Sequence, residues 1–132
     1  MKLGTKISLI LILNLILATP TSSVTLTEQL KAKVLEPKAY AEYKSKTYKW
    51  GKDQQKCLRA LWGKESAWNF KAKSPTKDYG IPQRHMSKNT LKEIKDFLQH
   101  PHPQIDWGLN YIHVRYGSPC QAWKFHLKNN WY

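Results

Sequence analysis

Glu65 is the residue whose surroundings point to chemistry. Asp53 can cap a helix running from Gln54 to about Trp68. On that helix Leu58, Leu61, Trp62 and Glu65 fall on one stripe, spaced at i, i+3, i+4 and i+7. A carboxyl therefore stands in the middle of an apolar face. On an arbitrary helix such a Glu belongs to the edge of the core and reaches solvent or a partner. Among Leu and Trp, however, desolvation penalises the ionised form and raises the pKa, so the group can hold a proton near neutrality. A carboxyl of that kind is suited to general acid catalysis.

Elements on either side must position it. The stretch from Asn69 to Arg84 is rich in Lys, Ser, Pro and Thr, and reads as a loop or very short hairpin in which Gly80 lets the backbone pass close to a ligand. Thr90 and Glu93 form a capping box for a helix ending before Pro101, whose Leu91, Ile94, Phe97 and Leu98 are expected in the core. A further helix from Pro103 to Tyr116 carries Ile105, Leu109, Ile112 and Tyr116 as its core stripe, with Gly108 beside it for close approach. Its second face, Trp107, Tyr111 and Val114, is either buried or lent to a groove. Gly117 ends that helix, and Ser118, Pro119 and Gln121 start another with a capping box and Pro at its first position. Cys120, Trp123 and Leu127 then share a face.

The chain has 132 residues, with 22 Lys+Arg against 9 Asp+Glu, which supports one small, strongly basic domain and excludes a two-domain enzyme. Lys2 and Lys6 precede the apolar run from Ile7 to Ala18, and small polar residues follow to Ser23. That is the layout of a secretory signal peptide, and the run is short for the roughly 20 residues of a spanning helix. The expected division is a signal peptide at 1–23, a docked or loosely ordered arm at 24–50, and a domain at 51–132. Export, to the outside or the periplasm, places Cys57 and Cys120 in an oxidising compartment, where a lone pair tends to bridge. No Cys/His cluster with metal-ligand spacing accompanies them, so a disulfide and no metal are expected.

The run Glu65-Ser66-Ala67-Trp68-Asn69, then Ala72, Ser74-Pro75-Thr76 and Tyr79-Gly80-Ile81-Pro82-Gln83, resembles the catalytic signature of the soluble lytic transglycosylases, a family with a lysozyme-like fold. Gln104 to Ile112, Arg115 to Pro119 and Ala122-Trp123 resemble the rest of a compact secreted branch of it. The resemblance covers roughly Gln54 to Tyr132. It implies a mainly α fold with a small loop or hairpin lobe and a substrate cleft. It also implies cleavage of the β-1,4 bonds of peptidoglycan glycan strands by one Glu acting as acid and then base, with no cofactor. In this family the sugar's own 6-hydroxyl attacks, giving a 1,6-anhydromuramic product.

Carried over residue by residue, the resemblance makes Glu65 catalytic and assigns substrate contacts to Ser66, Tyr79, Gln83 and Tyr111, while Trp107 fits plain packing equally well. Protonating a leaving oxygen and stabilising an oxocarbenium-like centre need carboxyl chemistry. Among the nine acidic side chains Glu65 is also the best acid by elimination. Asp78 and Asp106 remain as second carboxylates that would permit ordinary hydrolysis. The chain departs from the branch at its end, where Asn130 stands in place of the usual Gly before Trp131-Tyr132. It also lacks the Ala-Tyr-Asn-Ala-Gly stretch of larger members, which leaves the product open between anhydro and reducing sugars. Expected partners are peptidoglycan and, given the charge, anionic wall polymers. Nucleic acid is not expected, since no nucleic-acid motif is present, and the expected state is a monomer. A wall-binding protein that kept the fold without the activity, and a cationic membrane-active protein, are the competing readings.

Overall fold

The computed structural model describes residues 35–132. The signal segment expected at 1–23 and the first part of the expected arm lie outside the described residues. Along the chain run α1 (Pro37–Ser45), a 3₁₀ turn (Lys46–Tyr48), α2 (Lys52–Ser66), strands β1 (Asp78–Tyr79) and β2 (Arg84–His85), then α3 (Leu91–Phe97), α4 (Pro101–Tyr116) and α5 (Pro119–Asn129). The strands form one antiparallel hairpin in which Asp78 faces His85 and Tyr79 faces Arg84. The architecture is therefore mainly α with a small hairpin lobe, as the sequence implies.

The core is the meeting of three amphipathic stripes. Leu58, Leu61 and Trp62 of α2, Ile105, Leu109 and Ile112 of α4, and Ala122 of α5 are all essentially inaccessible. Each large side chain so buried is worth about 1.5–3 kcal/mol against exposure. α2 packs most extensively on α5, and the two run in the same direction. They are joined near their starts by a disulfide between Cys57 and Cys120, with Cα atoms 5.0 Å apart. The Cys120 backbone N–H also donates to Gln54 Oε1 at 2.9 Å. Gly108 lets α4 approach closely: a Cβ there would lie 2.6 Å from Trp62 Cζ2 and 3.0 Å from Pro82 Cβ.

Several local expectations are corrected. Pro37 begins a helix, consistent with its preset φ and dispensable N–H. Tyr40, Ala41 and Ser45 of this helix are buried, so this part of the expected arm is docked into the core rather than loosely ordered. Tyr40 Oη donates to both carboxyl oxygens of Asp106, at 3.0 and 2.9 Å, and Glu42 pairs with Arg59 of α2. Asp53 is not a cap. Gly51 occupies that position without a side-chain bond, and Asp53 pairs with Lys56 within the first turn. α2 stops at Ser66 rather than Trp68, because Ala67 and Trp68 both take left-handed backbone, at φ 51° and 63°.

The capping box of Thr90 and Glu93 forms on α3, whereas Ser118 caps α5 without a side-chain bond. The apolar face of α3 does not enter the core: Leu91 is 86% exposed, and no residue of the helix is buried. This helix is only seven residues long, and its ties to the body lie at its C-terminal end. There Phe97 O accepts from Gln104 Nε2 at 2.7 Å, and the Arg84 guanidinium lies over the Phe97 ring. Its first turn therefore runs outward. Val114 and Leu127 likewise face solvent.

The packing at Gly108 yields a stability prediction. Gly108→Ala should lower unfolding stability by about 1–3 kcal/mol, since both Trp62 and Pro82 must shift. Gly63→Ala, on the same helix as Trp62 but with nothing within 4 Å of its added Cβ, should be neutral or stabilising by up to about 1 kcal/mol. Urea unfolding of both variants checks this, and equal effects would contradict the packing account.

Candidate active site

Glu65 occupies the last turn of α2, where the helix ends against the hairpin lobe. The left-handed turn at Ala67 and Trp68 reverses the chain beside it. Trp68 then packs edge-on against Trp62 at 5.3 Å, and its indole N–H donates to Arg59 O at 3.2 Å. The Ser66 hydroxyl donates to Ile81 O at 2.8 Å, which ties the helix end to the loop. Gln104, fully buried, braces that loop from α4. Its Oε1 accepts from the Ile81 N–H at 2.8 Å, and its Nε2 donates to Phe70 O and Phe97 O. Gly80 is obligatory here, having φ +75° and a would-be Cβ only 2.2 Å from Gln104 Oε1.

The C-terminus closes the other side. Asn130 takes left-handed backbone at φ 60°, a conformation that Asn tolerates better than most residues. That turn brings Tyr132 back onto the core. Its hydroxyl accepts from Trp62 Nε1 at 2.8 Å and donates to Pro82 O at 2.9 Å. Burial raises the Tyr132 pKa well above the ordinary tyrosine value, so it acts as a neutral strut between helix and loop.

Between these walls lies a cleft of about 560 Å³, lined by Glu65, Ser74, Thr76, Asp78, Pro82, Gln83, His85, Trp107, Tyr111, Asn130, Trp131 and Tyr132. Its volume is in the range of small-ligand sites. The Glu65 side chain is 14% exposed. Desolvation, with a smaller contribution from the negative charge of Asp78, pushes its pKa up to about 7. Asp78 behaves oppositely although it faces the same cleft. Burial would raise its pKa, but hydrogen bonds from Thr76, His85 and Ser74, together with the His85 charge, outweigh burial and hold it below the ordinary carboxylate value. Ser74 Oγ lies 2.8 Å and Thr76 Oγ1 2.5 Å from Asp78 Oδ2, and His85 Nδ1 lies 2.8 Å from Oδ1. Two carboxyls with separated pKa values in one cleft are a recurring acid and base arrangement.

The other residues singled out from sequence separate into groups. Tyr111 lines the cleft, stacked on Trp107 with ring centroids 5.1 Å apart. Gln83 lines it too, at φ 48°, with its amide nitrogen donating to Gly80 O at 2.9 Å. Ser66 and Tyr79 are half-buried beside the cleft and are not among its lining residues. Asp106 is elsewhere, held by Tyr40 and by Lys44 at 3.4 Å, and cannot serve as the second carboxylate. Sequence reasoning missed His85, Asn130, Trp131, Tyr132 and His126. The last of these lies with Nε2 2.9 Å from Glu65 Oε1. Gln104 was also missed, although its place one turn before Gly108 on the α4 stripe was a signal. Among the described residues no group of three or more His, Cys, Asp and Glu side chains is placed to hold a metal ion.

The family model of the transglycosylase SLT domain matches residues 40–128. The chain belongs to the transglycosylase SLT family. No curated protein and no solved structure matches it significantly. Membership supports glycosidic bond cleavage in peptidoglycan in general. The SLT match starts at Tyr40, inside α1, in keeping with the burial of that helix.

The raised Glu65 pKa has a consequence for stability. A carboxyl whose folded pKa exceeds its unfolded value leaves its full contribution in place below the unfolded value, and that contribution is lost as pH rises through the folded value. Here the window runs from the ordinary value of 4.5 to about 7. Glu65→Gln should therefore be more stable than the parent at pH 8, by on the order of 2 kcal/mol, with the difference closing by pH 4. Thermal melts of both proteins across that range check the sign, and a constant difference would contradict it.

Proposed function

We propose that the protein cleaves the β-1,4 bond between N-acetylmuramic acid and N-acetylglucosamine in peptidoglycan, with Glu65 as the single general acid and base. The observation that carries this reading is a nearly dry Glu65 carboxyl, protonated up to about pH 7, on the wall of a sugar-sized cleft. Glu65 gives its proton to the bridging oxygen as the bond from that oxygen to the muramic C1 breaks. Positive charge develops at C1 within the field of ionised Asp78. The Glu65 carboxylate then takes the proton of the muramic 6-hydroxyl while its oxygen bonds to C1. The product is a 1,6-anhydro sugar, and Glu65 ends protonated as it began.

Trp107, Tyr111 and Trp131 supply flat apolar faces on which pyranose rings can lie. Gln83 and Tyr111 contribute polar edges, and neighbouring Ser66 and Tyr79 hold the loop that presents Gln83. The excess of 22 Lys+Arg over 9 Asp+Glu suits the carboxylates of peptide stems and other anionic wall polymers. Delivery to the wall by the segment at 1–23, and action as a monomer, belong to the same proposal.

Asp78 favours a second reading, hydrolysis by a muramidase mechanism, because a fixed carboxylate across the cleft could activate a water or bond to C1. Mass analysis of fragments released from purified peptidoglycan separates the two. The transglycosylase reading predicts muramic ends one water lighter than hydrolytic ends; reducing ends would put the muramidase in its place. Glu65→Gln should lower turnover at least about a hundredfold with binding to peptidoglycan retained. An unchanged biological effect of that variant, with no fragments released by the parent, would instead mark a wall-binding protein.

A further inference from the structure

His126 stands behind Glu65 in a setting that packing alone does not require. Its side chain is 8% exposed, within α5, and its ring stacks on Trp123 at 5.5 Å. Nε2 lies 2.9 Å from Glu65 Oε1. The approach is off the line of a well-aligned hydrogen bond, and both Glu65 Oε1 and His126 Nδ1 are buried without a hydrogen-bond partner. Buried polar atoms left without a partner are costly in a region with no other role. Hydrogen bonds in an unliganded active site commonly tighten when substrate is bound.

We infer that His126 is a positioning residue for Glu65: a neutral imidazole carrying its proton on Nε2, which fixes Oε1 and donates to the carboxylate that forms when Glu65 has delivered its proton. The inference rests on the catalytic role proposed for Glu65. Nδ1 has no acceptor, so a proton placed there would be a buried, unsatisfied donor, whereas Nε2 has Oε1 2.9 Å away, within reach of a small ring rotation. With Oε1 engaged from behind, Oε2 is the oxygen left for the cleft and the one that exchanges the proton with the sugar. No proton leaves the imidazole in the cycle. Burial, and then the positive charge of Lys64, lower the His126 pKa, which keeps the ring neutral where the enzyme would work.

Other charged or titratable groups around the pair are Lys64 on α2, Asp78 and His85 on the hairpin, Tyr111 on α4 and Tyr132 at the C-terminus. None forms a hydrogen bond with the Glu65 side chain. The disulfide sets the register of the pair. Cys57 lies eight residues before Glu65 and Cys120 six before His126, so a bridge near the start of two parallel helices brings these side chains together two turns later.

Two readouts test this. Nitrogen-15 spectra of the histidine rings at pH 7 should show His126 neutral with its proton on Nε2; a proton on Nδ1, or an imidazolium, would overturn the inference whether or not the protein acts on peptidoglycan. On peptidoglycan, His126→Phe should lower kcat about tenfold with KM within about twofold, and move the alkaline limb of the rate profile up by about half a pH unit or more, since a donor to the carboxylate is gone. His126→Gln, which keeps an N–H in reach, should recover activity to within about threefold of the parent. Parent-like rate and pH profile in a folded His126→Phe protein would overturn it. So would a loss in His126→Gln equal to that in His126→Phe, because restoring an N–H would then restore nothing. Absence of any cleavage by the parent protein would sink the function reading, while the ring spectra still decide where the proton sits.

Discussion

Withholding water from one carboxyl is the constraint around which the rest of this structure is arranged. Glu65 cannot be dried by α2 alone, since a helix end exposes its last turn on several sides. Four separate parts of the chain do so together: the Gly80 loop, α4, α5 through His126, and the returning C-terminus. Ionisation in such a place is disfavoured because the charged form loses hydration that the surroundings do not replace. The same surroundings that make the group a good acid therefore make it a source of instability at high pH.

Holding these parts in place falls to a few polar ties whose partners are fully satisfied. Gln104 fastens three backbone segments at once, and Tyr132 links Trp62 to Pro82 through one hydroxyl. Ser66 joins the helix end to Ile81. Removing any of them would leave buried partners unpaired, which is more damaging than the loss of a surface bond. Asp78 is held by a different logic, being wrapped in donors that favour its charge. The cleft thus carries one carboxyl kept neutral and one kept ionised.

Much of this was legible in the chain. The stripe of Leu58, Leu61, Trp62 and Glu65 placed the acid, the capping box at Thr90 placed a helix start, and Gly108 announced a close helix crossing. What escaped were features set by contacts distant in sequence. The segment before Trp50 reads as an arm until α1 is seen to gain burial against α4. The stripe on α3 reads as core because periodicity reports amphipathicity and not what covers it. His126 has no local signature at all, since its significance comes from a residue 61 positions away. Tyr132, at the very end of the chain, likewise gives no sign that it is a central strut.

A carbon-13 titration of the Glu65 side-chain carboxyl in the parent protein bears most directly on the account. A midpoint near 7, well above those of the solvent-facing carboxyls, is the predicted result. A midpoint near 4.5 would mean that water reaches the group freely, and the acid role assigned to it would have no physical basis.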